Sequence, residues 1–168
     1  MEFILRPWKT EDAENLAWFA NNKNVSRYMM DRFPCPYTLQ NAHEFIEHAN
    51  NLYPASLLAI SVEGIAVGGI GLHRQNDISS MNAELGYWLG EAYWSKGIMT
   101  AAVIRMVEYG FIHFDFNRIF ARPFGSNFAS QKVLEKAGFI LEARFYGTFF
   151  KDGVFEDELV YAVRRLSL

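Results

Sequence analysis

The segment Gly90-Glu91-Ala92-Tyr93-Trp94-Ser95-Lys96-Gly97-Ile98-Met99-Thr100 holds the residues whose types and spacing best suit chemistry, and that chemistry is anion binding. It joins a strand-like run, Asn82 to Leu89, to a stretch of strong helical period. The start of a helix leaves several backbone N–H groups unpaired and carries partial positive charge, which is what a phosphate needs. Gly97 lacks the Cβ that would hold a diphosphate away from the backbone. Lys96 adds a positive charge beside it, and Thr100 a hydroxyl in the first turn. The spacing matches neither the Gly-x-x-x-x-Gly-Lys-Ser/Thr loop nor the Gly-x-Gly-x-x-Gly dinucleotide fingerprint. Taken alone, a Lys-Gly pair at such a junction is more often a plain strand-to-helix turn, so its surroundings must decide.

Other patterns point to chemistry less well. His43-Glu44-Phe45-Ile46-Glu47-His48 has the composition of a zinc-protease motif, but its histidines stand five apart, and a helix does not present such a pair on one face. His73 and His113 have no cysteine or histidine neighbours, so no metal is expected. Val67-Gly68-Gly69-Ile70-Gly71 reads as a strand that needs close backbone approach rather than a phosphate loop. Phe145-Tyr146, Phe149-Phe150 and Phe155 could line a substrate cleft or the face of a homodimer, although aromatic residues at such spacing more often belong to a core.

The elements around the loop follow from periodicity and punctuation. Phe3 to Arg6 reads as a short strand stopped by Pro7, and Thr10-Glu11-Asp12 as a helix start whose acids suit the positive end of the dipole. That helix turns Leu16, Phe19 and Ala20 inward until Asn21-Asn22-Lys23-Asn24 breaks it. A second helix runs from about Thr38 to Asn50. Ser56 to Val62 and Val67 to Leu72 are strands about a Glu63-Gly64 hairpin turn, and Asn82 to Leu89 is another strand. Met99, Ala102, Val103, Met106, Val107 and Gly110 recur at helical spacing. Asn117 to Arg122 is a strand and Asn127 to Ala137 a short helix, ended by a left-handed cap at Gly138 before Phe139. Phe139 to Tyr146 and Val154 to Val163 close the chain as strands about the Lys151-Asp152-Gly153 turn. The order is mixed rather than strictly alternating, so the expectation is one α+β domain over residues 1–168, with helices on both faces of its sheet.

Composition sets the bounds. A chain of 168 residues with 51% hydrophobic and 21% charged residues can bury a core as one soluble domain. Its formal charge of -3 and the lack of a basic stripe argue against a nucleic-acid partner. No apolar run approaches the ~20 residues that span a bilayer, and the N-terminus has no signal-peptide pattern. Cys35 is the one cysteine, which excludes an intrachain disulfide and suits a reducing compartment. The expected location is the cytoplasm, without a membrane partner.

Four ordered blocks carry a family resemblance. Glu84-Leu85-Gly86-Tyr87-Trp88-Leu89-Gly90 with Tyr93 to Ala102 resembles the cofactor motif of the GNAT acetyltransferases, above all the branch containing the ribosomal-protein N-terminal acetyltransferases (RimJ/RimL-like). The likeness continues through Asn117-Arg118-Ile119, Asn127-Phe128-Ala129-Ser130 and Val133 to Phe139, and closes with Asp157 to Val163. It implies a mixed sheet of about six to seven strands, acetyl-CoA as acetyl donor, and no metal. Of the family pattern Gln/Arg-x-x-Gly-x-Gly/Ala, the fixed positions fall on Trp94, Gly97 and Met99, and only the central glycine is kept. The resemblance assigns pyrophosphate contacts to Ser95, Lys96, Gly97, Ile98, Met99 and Thr100, mainly through backbone. It assigns pairing with the pantetheine arm to the backbone of Leu89.

Acetyl transfer to an amine needs the amine neutral and the developing oxyanion held by a donor such as a strand N–H. Glu84, on the strand leading to the loop, is the candidate base through water; its alternative is a solvated charge or a structural ion pair. Glu44, Glu47 and Asp31 are further candidates on the presumed substrate side. The family tyrosine that protonates the leaving thiolate falls on Leu134, so Ser130 becomes the candidate acid. Asn127 is either a helix cap or a cofactor hydrogen bonder. The expected reaction is direct acetylation of a primary amine, on a protein N-terminus or a small molecule. The alternatives are a polyamine, aminoglycoside or amino-acid acetyltransferase of the same fold, and a non-catalytic CoA-binding module. Acceptor choice is assigned to the Asn24 to Asn50 region and the Tyr146 to Asp152 loop, where no code is legible.

Overall fold

A computed structural model describes residues 1–165. Seven strands form one mixed sheet in the order β1-β2-β3-β4-β5-β7-β6. They are β1 (Ile4–Arg6), β2 (Leu57–Val62), β3 (Ile65–Arg74), β4 (Asn82–Leu89), β5 (Arg118–Ala121), β6 (Ile140–Lys151) and β7 (Val154–Arg164). The helices are α1 (Ala13–Ala20), α2 (Lys23–Ser26), α3 (Leu39–Asn50), α4 (Ile98–His113) and α5 (Phe128–Lys136). β4 and β5 run parallel, while β1/β2, β2/β3, β5/β7 and β6/β7 are antiparallel. The α+β class, the mixed sheet and its strand number are as expected from the sequence.

Contacts divide the chain into two compact units. The first comprises Met1–Gly71 and Tyr87–Ala102. Its core gathers Leu16, Ala42, Ile46, Leu57 and Trp88 from α1, α3, β2 and β4, with Trp8 from the segment after β1. A Cβ at Gly68 would stand 2.5 Å from the Trp88 carbonyl oxygen, so β3 needs glycine there for close backbone approach. Glu63 and Gly64 both take left-handed φ, 50° and 86°, as a two-residue hairpin turn requires. The asparagine cluster does not simply break α1: Asn22 caps the extra one-turn helix α2 by accepting the Asn24 N–H at 2.8 Å.

The second unit holds Leu72–Gly86 and the chain from Val103 onward. Its core includes Leu72, Met106, Phe116, Ile119 and Leu134. Along α4, Ile98 is buried and Met99 only half-buried, so the apolar stripe begins one residue earlier than the period suggests. Gly138 ends α5 at φ +87°, with the Phe139 N–H reaching back to the Leu134 carbonyl at 3.0 Å. The expected break of β6 at Tyr146 does not occur. The strand runs on to Lys151 through a register shift between Phe145 and Phe149, where Gly147 takes φ +59°. Asp157 stabilises this bulge by accepting the Gly147 N–H at 2.9 Å and the Arg144 guanidinium. The aromatic run is not core either: Phe145, Tyr146, Phe150 and Phe155 are exposed on the edge hairpin, and of the run Phe149 packs on Phe124. Phe145, Tyr146 and Phe150 lie on β6, the last strand of the sheet, so their spacing did not bury them.

Candidate functional site

The loop singled out by its residues follows β4 within the first unit. Leu89 ends the strand with its side chain buried. The Gly90 N–H then donates to the Val67 carbonyl at 2.8 Å, and one turn of helix spans Glu91–Tyr93. Two amides grip Glu91: Asn22 donates to it at 2.7 Å and Asn24 at 3.0 Å. These hydrogen bonds, Asn22 foremost, hold its carboxyl below the ordinary carboxylate value. Lys96 folds back over its own loop, with Nζ donating to the Ala92 carbonyl at 2.8 Å and lying 5.3 Å from the Tyr93 ring centroid. Its charge stays at the loop while its hydrogen bond goes to backbone.

Trp94 makes two bonds. Its backbone N–H donates to the Glu91 carbonyl at 3.1 Å, and its indole Nε1 donates to the Leu89 carbonyl at 2.7 Å. Ser95 and Gly97 follow in left-handed conformation, at φ 59° and 76°. The first bond into α4 runs from the Ala101 N–H to the Gly97 carbonyl at 3.2 Å. Among the described residues no protein acceptor takes the N–H groups of Ser95 through Thr100. A Cβ built on Gly97 meets no atom within 4 Å. Ile98 is buried, so only its backbone is available, while Met99 and Thr100 are half-buried. Unpaired donors, the positive end of a 16-residue helix and open space beside the glycine are what a diphosphate requires. The residues present therefore fit the diphosphate of acetyl-CoA.

The second unit holds Glu84, Asn127 and Ser130, whereas the further candidates Asp31, Glu44 and Glu47 lie exposed in the first. Glu84 lies on β4 opposite Phe120 of β5. Side chains alternate along a strand, which brings Arg122, two residues further on, to the same face. Both carboxylate oxygens of Glu84 accept from Arg122, at 3.0 Å and 3.2 Å, and Arg122 also reaches the buried Glu158 at 3.3 Å. The ion-paired alternative for Glu84 is thus present in the geometry. Asn127 caps α5, its Oδ1 accepting the Ser130 N–H at 3.1 Å. Leu134, where the family tyrosine falls, is wholly buried, so that position serves the core. Sequence reasoning did not find Arg122, Glu158, Asn22, Asn24 or the bonding role of Trp94. The partners of Asn22, Asn24, Arg122 and Glu158 lie 36 to 69 residues away, and nothing in the local pattern announces such pairs.

Residues 2–140 match the acetyltransferase (GNAT) domain family, and the chain belongs to that family of acetyltransferases. It is 32% identical over 167 residues to "Probable N-acetyltransferase YjcK" of Bacillus subtilis, covering 95% of this chain and 92% of that protein. It is 27% identical over 149 residues to the ribosomal-protein-serine acetyltransferase of Escherichia coli, covering 89% of this chain and 80% of that one. Its fold superposes with a TM-score of 0.85 on RimL, a ribosomal α-N-protein acetyltransferase solved in complex with coenzyme A, at 19% identity over 96% of this chain and 93% of that chain.

Proposed function

We propose that the protein transfers the acetyl group of acetyl-CoA directly to a primary amine, carried by a protein N-terminus or a small molecule. The observation that carries this reading is the start of α4, where the N–H groups from Ser95 to Thr100 lack protein partners beside a left-handed Gly97. Family membership and a fold shared with a coenzyme A complex support it. In this reading the six residues from Ser95 to Thr100 hold the diphosphate by backbone, and the backbone of Leu89 meets the pantetheine arm. Relatives named for ribosomal proteins favour a protein N-terminus as acceptor. An exposed Cys35 suits a reducing compartment, and the cytoplasm is the location we assign.

The chemistry needs two proton movements. The ammonium of the acceptor loses a proton, its nitrogen attacks the thioester carbonyl, and the tetrahedral intermediate expels a thiolate, which takes up a proton as the new amide nitrogen gives up its second one. Glu84 is assigned the first step through water. A carboxylate offers about four lone-pair sites, so bidentate pairing with Arg122 leaves one on each oxygen for a water molecule. Ser130 is assigned the second step, in place of the tyrosine that Leu134 replaces.

Turnover of acetyl-CoA against a panel of amines tests the reading, with N-terminal peptides, polyamines, aminoglycosides and amino acids as acceptors. Acetylation of a primary amine is expected. Tight CoA binding with no turnover on any acceptor would instead identify a CoA-binding module, and failure to bind CoA would exclude both. Glu84→Gln should lower kcat about 100-fold and leave the KM for acetyl-CoA within about twofold. Wild-type rates for that variant at every pH would remove Glu84 as base.

A further inference from the structure

The residue that stands where the family expects glutamine or arginine is not an idle replacement. Trp94 sits immediately before Ser95, a non-glycine residue held at φ 59°. Left-handed backbone at a serine is uncommon and strained, and it persists only where its surroundings over-determine it. Here the surroundings are specific. The indole N–H of Trp94 closes the loop onto the Leu89 carbonyl at 2.7 Å, and its backbone N–H closes the inner turn onto Glu91 at 3.1 Å. Behind them, Lys96 ties to the Ala92 carbonyl at 2.8 Å, while Asn22 and Asn24 anchor Glu91. Every one of these bonds ends on a carbonyl or a carboxylate between Leu89 and Ala92. None uses an N–H group between Ser95 and Thr100. The loop is therefore shaped from its acceptor side, and its donors are left pointing at no protein atom.

We infer that Trp94 is a positioning residue for acetyl-CoA: its indole bond to the Leu89 carbonyl holds Ser95 left-handed and aims the N–H groups of the loop before the donor arrives. The inference rests on the function proposed above and deepens it. A loop ordered in advance loses less conformational freedom on binding, so its gain appears as affinity for the diphosphate-bearing substrate rather than as speed of the chemical step. The bond need not break when the pantetheine arm meets Leu89, because a carbonyl oxygen carries two lone pairs. Trp94 is 41% exposed, so its ring is not a core support whose loss would unfold the protein.

Trp94→Phe keeps a ring and removes the donor. The expected result is a rise of about 5- to 10-fold in the KM for acetyl-CoA and in the Kd for CoA, with kcat and the amine KM within about twofold of wild type. Trp94→Gln restores a donor and should recover most of the CoA affinity. A merely structural role would move kcat, the amine KM and Tm together, and that pattern would overturn the inference. Unchanged CoA affinity in the phenylalanine variant would overturn it as well, as would a glutamine variant no better than phenylalanine. Should the phenylalanine form prove too unstable to assay, Trp94→Leu, which also lacks the donor, takes its place: a loss of CoA affinity beyond about fivefold supports the inference, and affinity within about twofold of wild type refutes it. Failure of the wild-type protein to bind CoA is a different outcome, which removes the proposed function itself.

Discussion

Helices α4 and α5 begin in opposite ways. At α5 the chain serves its own donors: Asn127 accepts the Ser130 N–H, as Thr38 accepts the Asn41 N–H at the start of α3. At α4 the nearby side chains turn to other work. Trp94 goes to the Leu89 carbonyl and Lys96 to the Ala92 carbonyl, and the N–H groups of Ser95 to Thr100 stay without a protein partner. A capped start finishes an element and needs nothing further. A start that is held in shape yet left uncapped is what an anion supplied from outside the chain would need. The pair of helices teaches where to look for a ligand: not at helix starts in general, but where a run of N–H groups stays open while nearby side chains hold the loop in shape.

The strongest blow to this contrast falls on Gly97. Gly97→Arg should weaken CoA binding about 100-fold or more, a change of about 2.7 kcal/mol, measured by calorimetric titration. The protein should remain folded, because a Cβ at Gly97 meets no atom within 4 Å. The backbone at φ +76° adds about 1–2 kcal/mol of strain for any L side chain. Gly97→Ala, which carries the strain without the bulk, should therefore fall between wild type and the arginine variant. An arginine variant that binds CoA normally, with its fold intact, would show that the diphosphate sits elsewhere.

A third helix start sharpens the comparison. The turn before α1 is served by Asp12, whose carboxylate accepts the Lys9 N–H at 2.8 Å and the Arg6 guanidinium at 2.7 and 2.8 Å. Burial disfavours the charged carboxyl, but Arg6 and Lys9 more than offset it, and its pKa is held below the ordinary aspartate value. The stabilisation is accordingly full above the unfolded value of about 4 and fades as the pH falls through the lower folded value. Asp12→Asn should lower stability by about 2 kcal/mol at neutral pH in urea unfolding, with CoA affinity unchanged. The gap between variant and wild type should narrow below about pH 4. A gap that ignores pH would mean that packing, rather than charge, sets the effect.

Local pattern carried much of this molecule. The stripe through Ala102, Val103, Met106 and Val107 lies buried in α4, and Gly138 caps α5, because period and glycine chemistry act within a few residues. The loop before α4 was legible as a glycine turn before a helix. What made it a prepared site was not, since Asn22 and Asn24 reach Glu91 across 69 and 67 residues. The pairing of Glu84 with Arg122 spans 38 residues and follows from the parallel register of β4 and β5, which no one-dimensional signal encodes. The bulge in β6 was missed for a related reason: it depends on Asp157 from the neighbouring strand accepting the Gly147 N–H.

The smallest expected effect belongs to Asn127, and it tests the capped side of the contrast. Two substitutions separate its two uses. Asn127→Asp keeps an oxygen acceptor and loses the amide donor, whereas Asn127→Ala loses both. If the residue's work is to cap α5, alanine should cost about 1 kcal/mol in urea unfolding while aspartate stays near wild type. The aspartate form should even gain slightly, because a negative charge suits the positive end of the helix dipole. A cofactor-bonding asparagine predicts the reverse ranking in a different readout: aspartate would bind CoA worse than alanine, since it sets a negative charge where a donor was needed. The geometry, with Oδ1 at 3.1 Å from the Ser130 nitrogen, leads us to expect the stability ranking. An alanine variant as stable as wild type would break the comparison from its capped end, by showing that the α5 start does not depend on the side chain that fills it.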